Sequence, residues 1–366
     1  MLHRTHSETA QHILTYAQQL QGGGVERAML RMAAGWRAAG RRVTLVLGSR
    51  EGPLAAEIPD GIELIELGDG RHQALFRLAE EVRRARPDLL FCPGNRYTGV
   101  TALARLRLGR AAPPIVGKVS NALVRPELSQ GAAWRYRRWL RLHPRFLTHA
   151  VAMTPAMAAE AMAEMGMSPE RVSVIANPPA RTIPGAAPVA LPEGRYLIGV
   201  GRLEPQKRWD RLLTALPQLA DKQVKLLLLG EGGARGTLEA QVAALGLGDR
   251  VTMPGHAGDP LPALRSAAVA VLTSDYEGVP GVLREALSVG TPVVSTESSV
   301  AVREIVHAPE LGTVVEREDG AALVGALDHW LAPDAVRPTP VAAAGDSIAE
   351  YLALFDRMVR ERSPIR

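Results

Sequence analysis

Short apolar runs rich in leucine and β-branched residues alternate with longer amphipathic segments along the whole chain. Strands that alternate with helices in this way predict parallel sheets of the doubly wound α/β kind. We predict strands at His12–Ala17, Val43–Leu47, Ile62–Leu67, Asp88–Cys92, Ile115–Val119, Ala150–Met153, Val172–Ile175, Tyr196–Val200, Val224–Leu229, Arg250–Met253, Ala268–Leu272, Pro292–Ser295 and Thr313–Val315.

Two domains are expected, because 366 residues exceed what one hydrophobic core usually serves. A segment rich in Pro and Ala without periodicity predicts a linker at residues 179–192, between a first domain at residues 1–178 and a second at residues 193–345. A final helix at residues 346–366 follows another Pro- and Ala-rich stretch, long enough for that helix to pack back on the first domain. Two Rossmann-like domains in tandem would face a central cleft and bind ligands at the carboxyl ends of their strands.

Composition leads us to expect a cytoplasmic protein. Cys92 is the single cysteine, so no intramolecular disulfide can form. The first eleven residues lack the apolar core of a signal peptide, and no apolar run approaches the roughly 18 residues that span a bilayer. Residues 1–190 hold 25 Lys and Arg against 15 Asp and Glu, whereas residues 191–366 hold 18 against 23. The basic first half either meets an anionic surface or reflects arginine-rich genome composition, and both interpretations stay open.

The segment Ser274–Ala286 carries the strongest chemical signal. Its two glutamates, Glu277 and Glu285, are separated by seven residues with a Pro-Gly turn between them, after a predicted strand. This spacing places Glu277 on a loop and Glu285 about one turn into a helix. Free amides at Gly281–Leu283 would form the positive helix N-terminus between the two acids. Such a site suits a ligand with hydroxyls at both ends and a phosphate in the middle, as in a nucleotide sugar.

Two cations follow the first predicted strand of the second domain. Arg202 and Lys207 lie five residues apart across a Pro-containing loop, so both can converge on one point above the sheet. A planar guanidinium and a compact ammonium suit the clamping of a diphosphate. Cations on an exposed loop are, however, often only solvated.

Loops that contain glycine follow three other predicted strands. Gly23 and Gly24 precede a predicted helix, where missing side chains permit close approach of an anion, although a flexible loop explains them equally well. Gly230 and Glu231 lie in a turn that either lets a nucleoside approach the backbone or is a simple left-handed turn. His256 is either a contact to the base or an ordinary loop residue. No histidine and acid spacing predicts a metal site.

Read together, these segments resemble the family-four retaining glycosyltransferases, the group 1 glycosyl transferases with the GT-B fold. The resemblance rests on Gly-Gly-Gly-Val-Glu-Arg, Gly-Arg-Leu-Glu-Pro-Gln-Lys, Leu-Gly-Glu-Gly, the Ser-Asp-Tyr-Glu-Gly segment with its paired glutamates, and Gly-Thr-Pro-Val-Val. It is strong from Tyr196 to Val315 and looser over Ile13–Asn177. The resemblance implies two Rossmann-like domains facing a cleft, and transfer of a sugar from a nucleotide diphosphate with retention of configuration, without a metal or other cofactor.

The resemblance also assigns roles to individual residues. Arg202 and Lys207 would neutralise the departing diphosphate, and Glu277 would contact the transferred sugar. Glu285 would accept hydrogen bonds from the ribose. The whole set expected at the donor is Gly23, Gly24, Gly201, Arg202, Lys207, Gly230, Glu231, His256, Glu277, Gly278, Val279, Pro280, Gly281, Val282, Leu283 and Glu285.

The chain departs from the family near the acceptor. Many relatives carry a histidine after the fifth strand of the first domain, where this chain has Lys118-Val119-Ser120-Asn121. Asn121 and Arg125 are therefore our candidates for the acceptor side. The following segment, Trp134–Phe146, mixes interfacial aromatics with five arginines. It predicts either an amphipathic helix lying on the anionic inner face of the cytoplasmic membrane, or a helix whose aromatics pack inward.

The expected partners are a nucleotide sugar and a glycan or lipid-linked acceptor in lipopolysaccharide or cell-surface polysaccharide synthesis, with no nucleic acid. Two alternatives stay open. The chain could be a catalytically degenerate GT-B protein that binds nucleotide sugars or acts as a scaffold subunit, or a GT-B sugar-nucleotide epimerase. Retention of Arg202, Lys207, Glu277 and Glu285 together argues against an idle site.

Overall fold

The computed structural model of the chain describes residues 8–21, 23–125, 128–179, 182, 185, 187–342 and 345–362. It divides the chain into two compact units, Met1–Pro178 together with Gly345–Arg366, and Pro179–Ala344. Residues 180, 181, 183, 184 and 186 of the predicted linker lie outside the described residues, as do residues 343 and 344 before the final helix.

The strands, in chain order, are β1 (His12–Ala17), β2 (Arg42–Leu47), β3 (Glu63–Glu66), β4 (Leu89–Cys92), β5 (Ile115–Lys118), β6 (His149–Ala152), β7 (Val172–Val174), β8 (Tyr196–Val200), β9 (Lys225–Leu229), β10 (Val251–Gly255), β11 (Val269–Leu272), β12 (Val293–Thr296) and β13 (Gly312–Val315). The α-helices are α1 (Gly24–Ala38), α2 (Leu78–Ala85), α3 (Thr98–Leu108), α4 (Gln130–Leu140), α5 (Pro155–Met165), α6 (Trp209–Ala215), α7 (Arg235–Ala244), α8 (Leu261–Ser266), α9 (Gly281–Ser288), α10 (Val300–Ile305), α11 (Gly320–Leu331) and α12 (Ser347–Arg362).

Each unit contains one parallel sheet, as predicted. The first has the order β3-β2-β1-β4-β5-β6-β7 and the second the order β10-β9-β8-β11-β12-β13. The first strand of each unit, β1 or β8, lies inside its sheet, and the chain order reverses there. In open sheets of this kind, ligands bind beyond the carboxyl ends of the strands at that switch point. The loops after β1, β4, β8 and β11 are therefore the places to search for a site.

Helices cover both faces of these sheets, which is why the central strands are continuous apolar runs instead of alternating ones. All six residues of β1 are buried, and so are all four residues of β11. The edge strand β10 extends two residues beyond the predicted Arg250–Met253, through Pro254 to Gly255. Pro254 is tolerated there because an edge strand needs no amide from it on its open side.

The final helix α12 packs on α1 within the first unit. Trp36 of α1 is fully buried, and its ring lies 5.2 Å from that of Phe355 and 5.1 Å from that of Phe91 on β4. A side chain at Gly35 would collide with Ile348, so glycine permits the close approach of the two helices. An ion pair of 2.9 Å between Arg41 and Asp356 adds a polar contact.

None of the helices among the described residues is long and apolar enough to cross a membrane.

Candidate active site

Lys207 and Glu277, predicted from separate motifs, are in direct contact. Nζ of Lys207 lies 2.6 Å from Oε1 of Glu277, and the two side chains are only 15% and 12% exposed. Lys207 follows β8 and Glu277 follows β11, and these neighbouring strands pair in parallel, so both loops emerge at the same sheet edge. The switch point of the second unit therefore holds a largely desolvated pair of opposite charges.

The loop after β11 holds Glu277 in one orientation. Its Oε1 also accepts a hydrogen bond of 2.6 Å from the hydroxyl of Ser274, and its amide donates to the carbonyl of Ser298 at 2.9 Å. The next carbonyl, of Gly278, accepts from the hydroxyl of Ser299 at 2.6 Å. Ser298 and Ser299 follow β12, so three neighbouring strands of the sheet contribute to the position of this carboxylate.

Helix α9 begins directly after this loop, with Pro280 as its N-cap and Gly281 as its first residue. Among the described residues no side chain caps it. Its first amides thus present partial positive charge towards the loop, as anion sites at helix N-termini do. The amide of Leu283, however, donates to the carbonyl of Pro280 at 3.2 Å, and its side chain is fully buried. The prediction that this amide is free is wrong, because the first turn of the helix already uses it.

The remaining residues of this segment line the same turn. Glu285 is the fifth residue of α9 and is half-buried, about one turn into the helix as its spacing predicts. Val279 and Val282 are half-buried, Gly278 and Pro280 are buried, and Gly281 is exposed.

The glycines after β8 and β9 permit close packing of two loops. A side chain at Gly230 would collide with the carbonyl oxygen of Gly201. At Gly201, a Cβ would lie 3.1 Å from Cε and 3.4 Å from Nζ of Lys207. Glycine at both positions therefore lets the lysine lie against the backbone at the end of β8. Arg202 is exposed, and among the described residues its side chain forms no hydrogen bond or ion pair; its convergence with Lys207 stays a prediction.

Glu231 and His256 lie on neighbouring loops after β9 and β10. Glu231 forms an ion pair of 2.6 Å with Arg235 of α7, and this hydrogen bonding lowers the pKa of its carboxyl. His256 is exposed and follows Gly255, where a side chain would lie 2.8 Å from the carboxylate of Glu231. Because Arg235 already binds the Glu231 carboxylate, contact with a donor through that side chain would compete with an existing ion pair.

A second ion pair, missed by the sequence reasoning, links the same two loops. Asp275 lies 3.3 Å from Nη1 of Arg208 and 2.7 Å from Nη1 of Arg211. Arg208 has a φ of 49°, in the left-handed region that costs a residue with a Cβ about 1–2 kcal/mol. Asp275 belongs to the same motif as Glu277, but the spacing of that motif did not indicate that Asp275 contacts Arg208.

In the first unit, the two predicted glycines differ in environment. Gly23 is the N-cap of α1, and a side chain there would collide with the carboxylate of Glu26. Gly24 has open space around it. Glu26 in turn accepts a hydrogen bond of 2.9 Å from the hydroxyl of Tyr97, which follows β4. The glycine loop thus admits a carboxylate of the chain itself, a contact that the glycine pattern alone did not indicate.

Asn121 is held within its own loop. Its Oδ1 accepts from the amide of Ala122 at 2.9 Å, and its carbonyl accepts from Nδ2 of Asn95 at 3.1 Å. Glu160 of α5 accepts from the amides of Leu123 and Val124 and so fixes the rest of the loop. Arg125 lines a cavity of about 360 Å³ with residues of α4.

Lys118, which precedes this loop at the end of β5, is a buried cation that the sequence reasoning left without a role. It is 3% exposed, and burial lowers its pKa to about 7, against a smaller upward effect of the Glu26 charge. No sequence pattern showed this, because the burial depends on the tertiary packing around the end of β5.

The Trp134–Phe146 segment has aromatic side chains on both an inward and an outward face. Trp139 and Phe146 stack at 5.7 Å and pack towards the core, as an inward-facing helix requires. Trp134 is 61% exposed, with the guanidinium of Arg138 lying 5.1 Å over its ring. One aromatic and several arginines of α4 therefore face outward.

Among the residues that the structure describes, no group of three or more His, Cys, Asp or Glu side chains is placed to hold a metal ion.

Two Rossmann-type units, with a lysine and glutamate pair and a helix N-terminus at the carboxyl edge of the second, define a GT-B protein. Comparison with known families agrees. The family model "Glycosyl transferases group 1" matches residues 187–340, and the model "Glycosyl transferase 4-like domain" matches residues 23–178. Together they cover most of the chain, which therefore belongs to the group 1 glycosyltransferases.

Individual relatives point the same way. The chain is 29% identical over 197 residues to the lipopolysaccharide core mannosyltransferase LpcC of Rhizobium leguminosarum, covering 52% of this chain and 54% of that protein. It is 29% identical over 143 residues to the N-acetylgalactosamine-N,N'-diacetylbacillosaminyl-diphospho-undecaprenol 4-alpha-N-acetylgalactosaminyltransferase of Campylobacter jejuni, with 39% of each covered. The matched part is thus about half or less of these curated relatives. Among solved structures, Anabaena HepE in complex with UDP and glucose aligns with a TM-score of 0.70 at 21% identity, over 96% of this chain and 94% of HepE, which shows the shared fold.

Proposed function

We propose that the chain is a retaining glycosyltransferase that moves a sugar from a nucleotide-diphosphate donor to a glycan or lipid-linked acceptor. The observation that carries the proposal is the 2.6 Å contact between Lys207 and Glu277 beside the N-terminus of α9. A cation, a carboxylate and helix amides at one sheet edge match the phosphates and hydroxyls of a nucleotide sugar.

The arrangement suggests which part of the donor each residue contacts. When the bond between the anomeric carbon and the diphosphate oxygen breaks, negative charge develops on the diphosphate. The ammonium of Lys207, with the guanidinium of Arg202, stabilises that charge in a site where little water competes. A diphosphate next to Lys207 shares the ammonium with Glu277. The carboxylate of Glu277 also accepts a hydrogen bond from a hydroxyl of the transferred sugar. Glu285 is assigned to the ribose hydroxyls.

This division of roles needs no metal or cofactor, since side chains and helix amides supply the positive charge. Turnover in the presence of EDTA is therefore expected to equal turnover without it. The two glutamates position the donor and do not act as the acid and nucleophile pair of a glycosidase. Retention is tested by the anomeric configuration of the product, which NMR coupling constants report directly.

The acceptor class is proposed from the relatives. Their names place them in lipopolysaccharide core synthesis and in transfer to a diphospho-undecaprenol glycan. For this chain we propose an acceptor of the same class, bound through the first unit near Asn121 and Arg125, with the protein lying on the inner face of the cytoplasmic membrane. The exposed Trp134 and the arginines of α4 support that location, since indole rings favour the headgroup level and arginines favour lipid phosphate.

A donor screen tests the activity. Nucleoside diphosphate release is measured for UDP-, GDP- and dTDP-sugars, and binding of UDP, GDP and dTDP is measured by calorimetry. Binding and release with at least one base are expected. Absence of binding to every nucleoside diphosphate would refute the proposal, whereas binding without turnover of any donor would favour a degenerate binding subunit.

Membrane association has its own test. The protein is expected to float with vesicles containing anionic lipid at low salt, and Trp134→Ala should weaken this. Leu106→Ala is the matched control, since Leu106 is another strongly exposed apolar side chain of the first unit. Equal flotation of the two variants, or none by the wild type, would contradict the assigned surface.

A further inference from the structure

We propose that Asp275 is a positioning residue for transfer, which holds Lys207 in place by anchoring Arg208 in its left-handed conformation. The inference rests on the proposed function, because it gives Lys207 its role at the diphosphate. Asp275 itself lies two residues before Glu277 and is not assigned any contact with the donor.

The first step is that two ion pairs connect the same two loops. Lys207 pairs with Glu277, and the next residue, Arg208, pairs with Asp275 at 3.3 Å. On the loop after β8, Lys207 and Arg208 are adjacent, and on the loop after β11, Asp275 and Glu277 are two residues apart. Any shift of Arg208 relative to Asp275 therefore moves the backbone that carries Lys207.

Second, the backbone at Arg208 needs support. Its φ of 49° and ψ of 41° lie in the left-handed region, and helix α6 begins at the next residue. Glycine adopts this conformation freely, whereas arginine does not. A residue held there persists only when its surroundings fix it.

Third, Asp275 is the centre of those surroundings. Its carboxylate contacts Arg208 and Arg211, and its carbonyl accepts from Nη1 of Arg317 at 3.1 Å. Its amide donates to the carbonyl of Gln206 at 2.9 Å. The Asp275 backbone and side chain thus hold the loop on both sides of Lys207.

The first residue after β11, Thr273, completes the attachment. The hydroxyl of Thr273, which is fully buried, donates to the carbonyls of Lys207 and Arg208 at 3.0 Å and 2.9 Å. These bonds fix the carbonyls but leave the guanidinium of Arg208 to Asp210 and Asp275. Asp210 lies on α6 itself, so of these two carboxylates Asp275 is the one that ties the guanidinium of Arg208 to the loop that carries Glu277.

Asp275→Asn removes the charge while keeping the size of the side chain. Arg211 keeps the carbonyl of Thr273 and the carboxylate of Glu318 as partners, so the variant leaves no buried cation alone. We expect kcat to fall roughly 10- to 100-fold, as for a misplacement of about 1 Å at a reacting group. The KM for the donor should change less than about threefold, because the interaction lost matters most in the transition state.

Rescue separates positioning from general stability. The double variant Asp275→Asn/Arg208→Gly should recover kcat to within about threefold of the wild type, because glycine needs no anchor at φ 49°. Asp275→Asn/Arg208→Ala loses the same guanidinium but keeps a Cβ, so it should stay as slow as Asp275→Asn alone. Glu239→Gln, which removes an ion pair with Arg235 on the surface of α7, is the control for loss of charge and should match the wild type.

The outcomes are distinct. Recovery by the glycine variant and not by the alanine variant supports the inference. Wild-type kcat in Asp275→Asn, or equal behaviour of the two double variants, overturns it while the proposed function stands. A wild type that neither binds nor turns over any nucleotide sugar overturns the proposed function instead, before any variant is compared.

Discussion

Replacing Lys118 with methionine should stabilise the first unit, and the gain should shrink as the pH rises. Lys118 ends β5 with 3% of its surface exposed, and burial lowers its pKa from the ordinary 10.5 to about 7. Methionine has a similar length and no charge, so Lys118→Met removes the cost of burying an ammonium with little change in packing.

The magnitude follows from linkage. One pKa unit corresponds to about 1.4 kcal/mol, and the pKa falls from 10.5 to about 7. Burial of the charged Lys118 therefore lowers the free energy of unfolding by about 5 kcal/mol at pH 6, where the lysine is charged in both the folded and the unfolded state. Between pH 7 and 10.5 the unfolded chain still binds the proton and the folded chain does not. Stability of the wild type therefore rises with pH across that window, and the cost falls to about 2 kcal/mol at pH 9. The pKa of about 7 already includes the Coulombic attraction to Glu26, so about 5 kcal/mol is the net cost that the variant removes at pH 6.

Hydrogen exchange with mass spectrometry is the suitable assay, because the two units need not unfold together and peptides from β5 report the first unit separately. After correction for intrinsic exchange, the opening free energy of Lys118→Met is compared with that of the wild type at each pH. The difference between the two proteins should be about 3 kcal/mol larger at pH 6 than at pH 9. Lys118→Arg is the matched control. Arginine keeps its charge at every pH, so this variant lacks the rise in stability that Lys118 gives the wild type. The opening free energy of the wild type should therefore increase relative to that of Lys118→Arg as the pH rises. A difference between Lys118→Met and the wild type that is independent of pH, or a less stable variant at both pH values, would refute the reasoning.

Three further predictions concern other parts of the molecule. Lys207→Ala should lower kcat roughly 100- to 1000-fold, the usual cost of removing one group that stabilises developing charge, with an unchanged circular dichroism spectrum; near-normal turnover would show that the diphosphate lies elsewhere. Glu285→Gln should weaken nucleoside diphosphate binding roughly 10- to 100-fold in calorimetry, since a hydrogen bond to a charged group contributes about 1.5–3 kcal/mol, and the same change at the exposed Glu239 should leave affinity as it is. Phe355→Ala should destabilise the first unit by about 3–5 kcal/mol, because the fully buried ring packs on Trp36, and exchange of second-unit peptides should stay unchanged.

The fold could be predicted from the sequence because parallel strands buried on both faces leave apolar runs that stand out from amphipathic helices. β1 and β8 have the predicted ends, and the others differ by one or two residues. The extension of β10 through Pro254 escaped prediction, since a proline ends a strand in most contexts and is tolerated here only because β10 lies at the sheet edge. Edge position is a property of the sheet and not of the local sequence.

The donor side of the site was predictable for a different reason. Lys207 and Glu277 follow strands that are neighbours in the sheet, and parallel strands bring their carboxyl ends to one edge. The Arg208 to Asp275 pair lies beside them but depends on a left-handed residue, and arginine gives no sign of that conformation in a sequence. Family motifs indicated the residues that we propose to contact the donor, and the structure was needed to find the Arg208 to Asp275 pair beside them.

In the first unit, the contacts around Lys118 and Glu26 could not be predicted from sequence motifs. Gly23 with Glu26, Tyr97 and Lys118 come from three separate stretches, and their relation follows from the order β1-β4-β5 in the sheet. No motif joins them, so the sequence singled out Asn121 and Arg125 by position and left Lys118 unassigned. The contacts described for Lys207, Glu277 and Asp275 lie within the second unit, and those of Lys118 and Glu26 lie within the first. Substitutions at Lys207 or Asp275 should therefore change donor kinetics alone. Lys118→Met should instead alter the stability of the first unit, to which we assign acceptor binding, and with it the acceptor KM. A change in nucleoside diphosphate affinity on replacing Lys118 would show that the two sets of residues do not act separately.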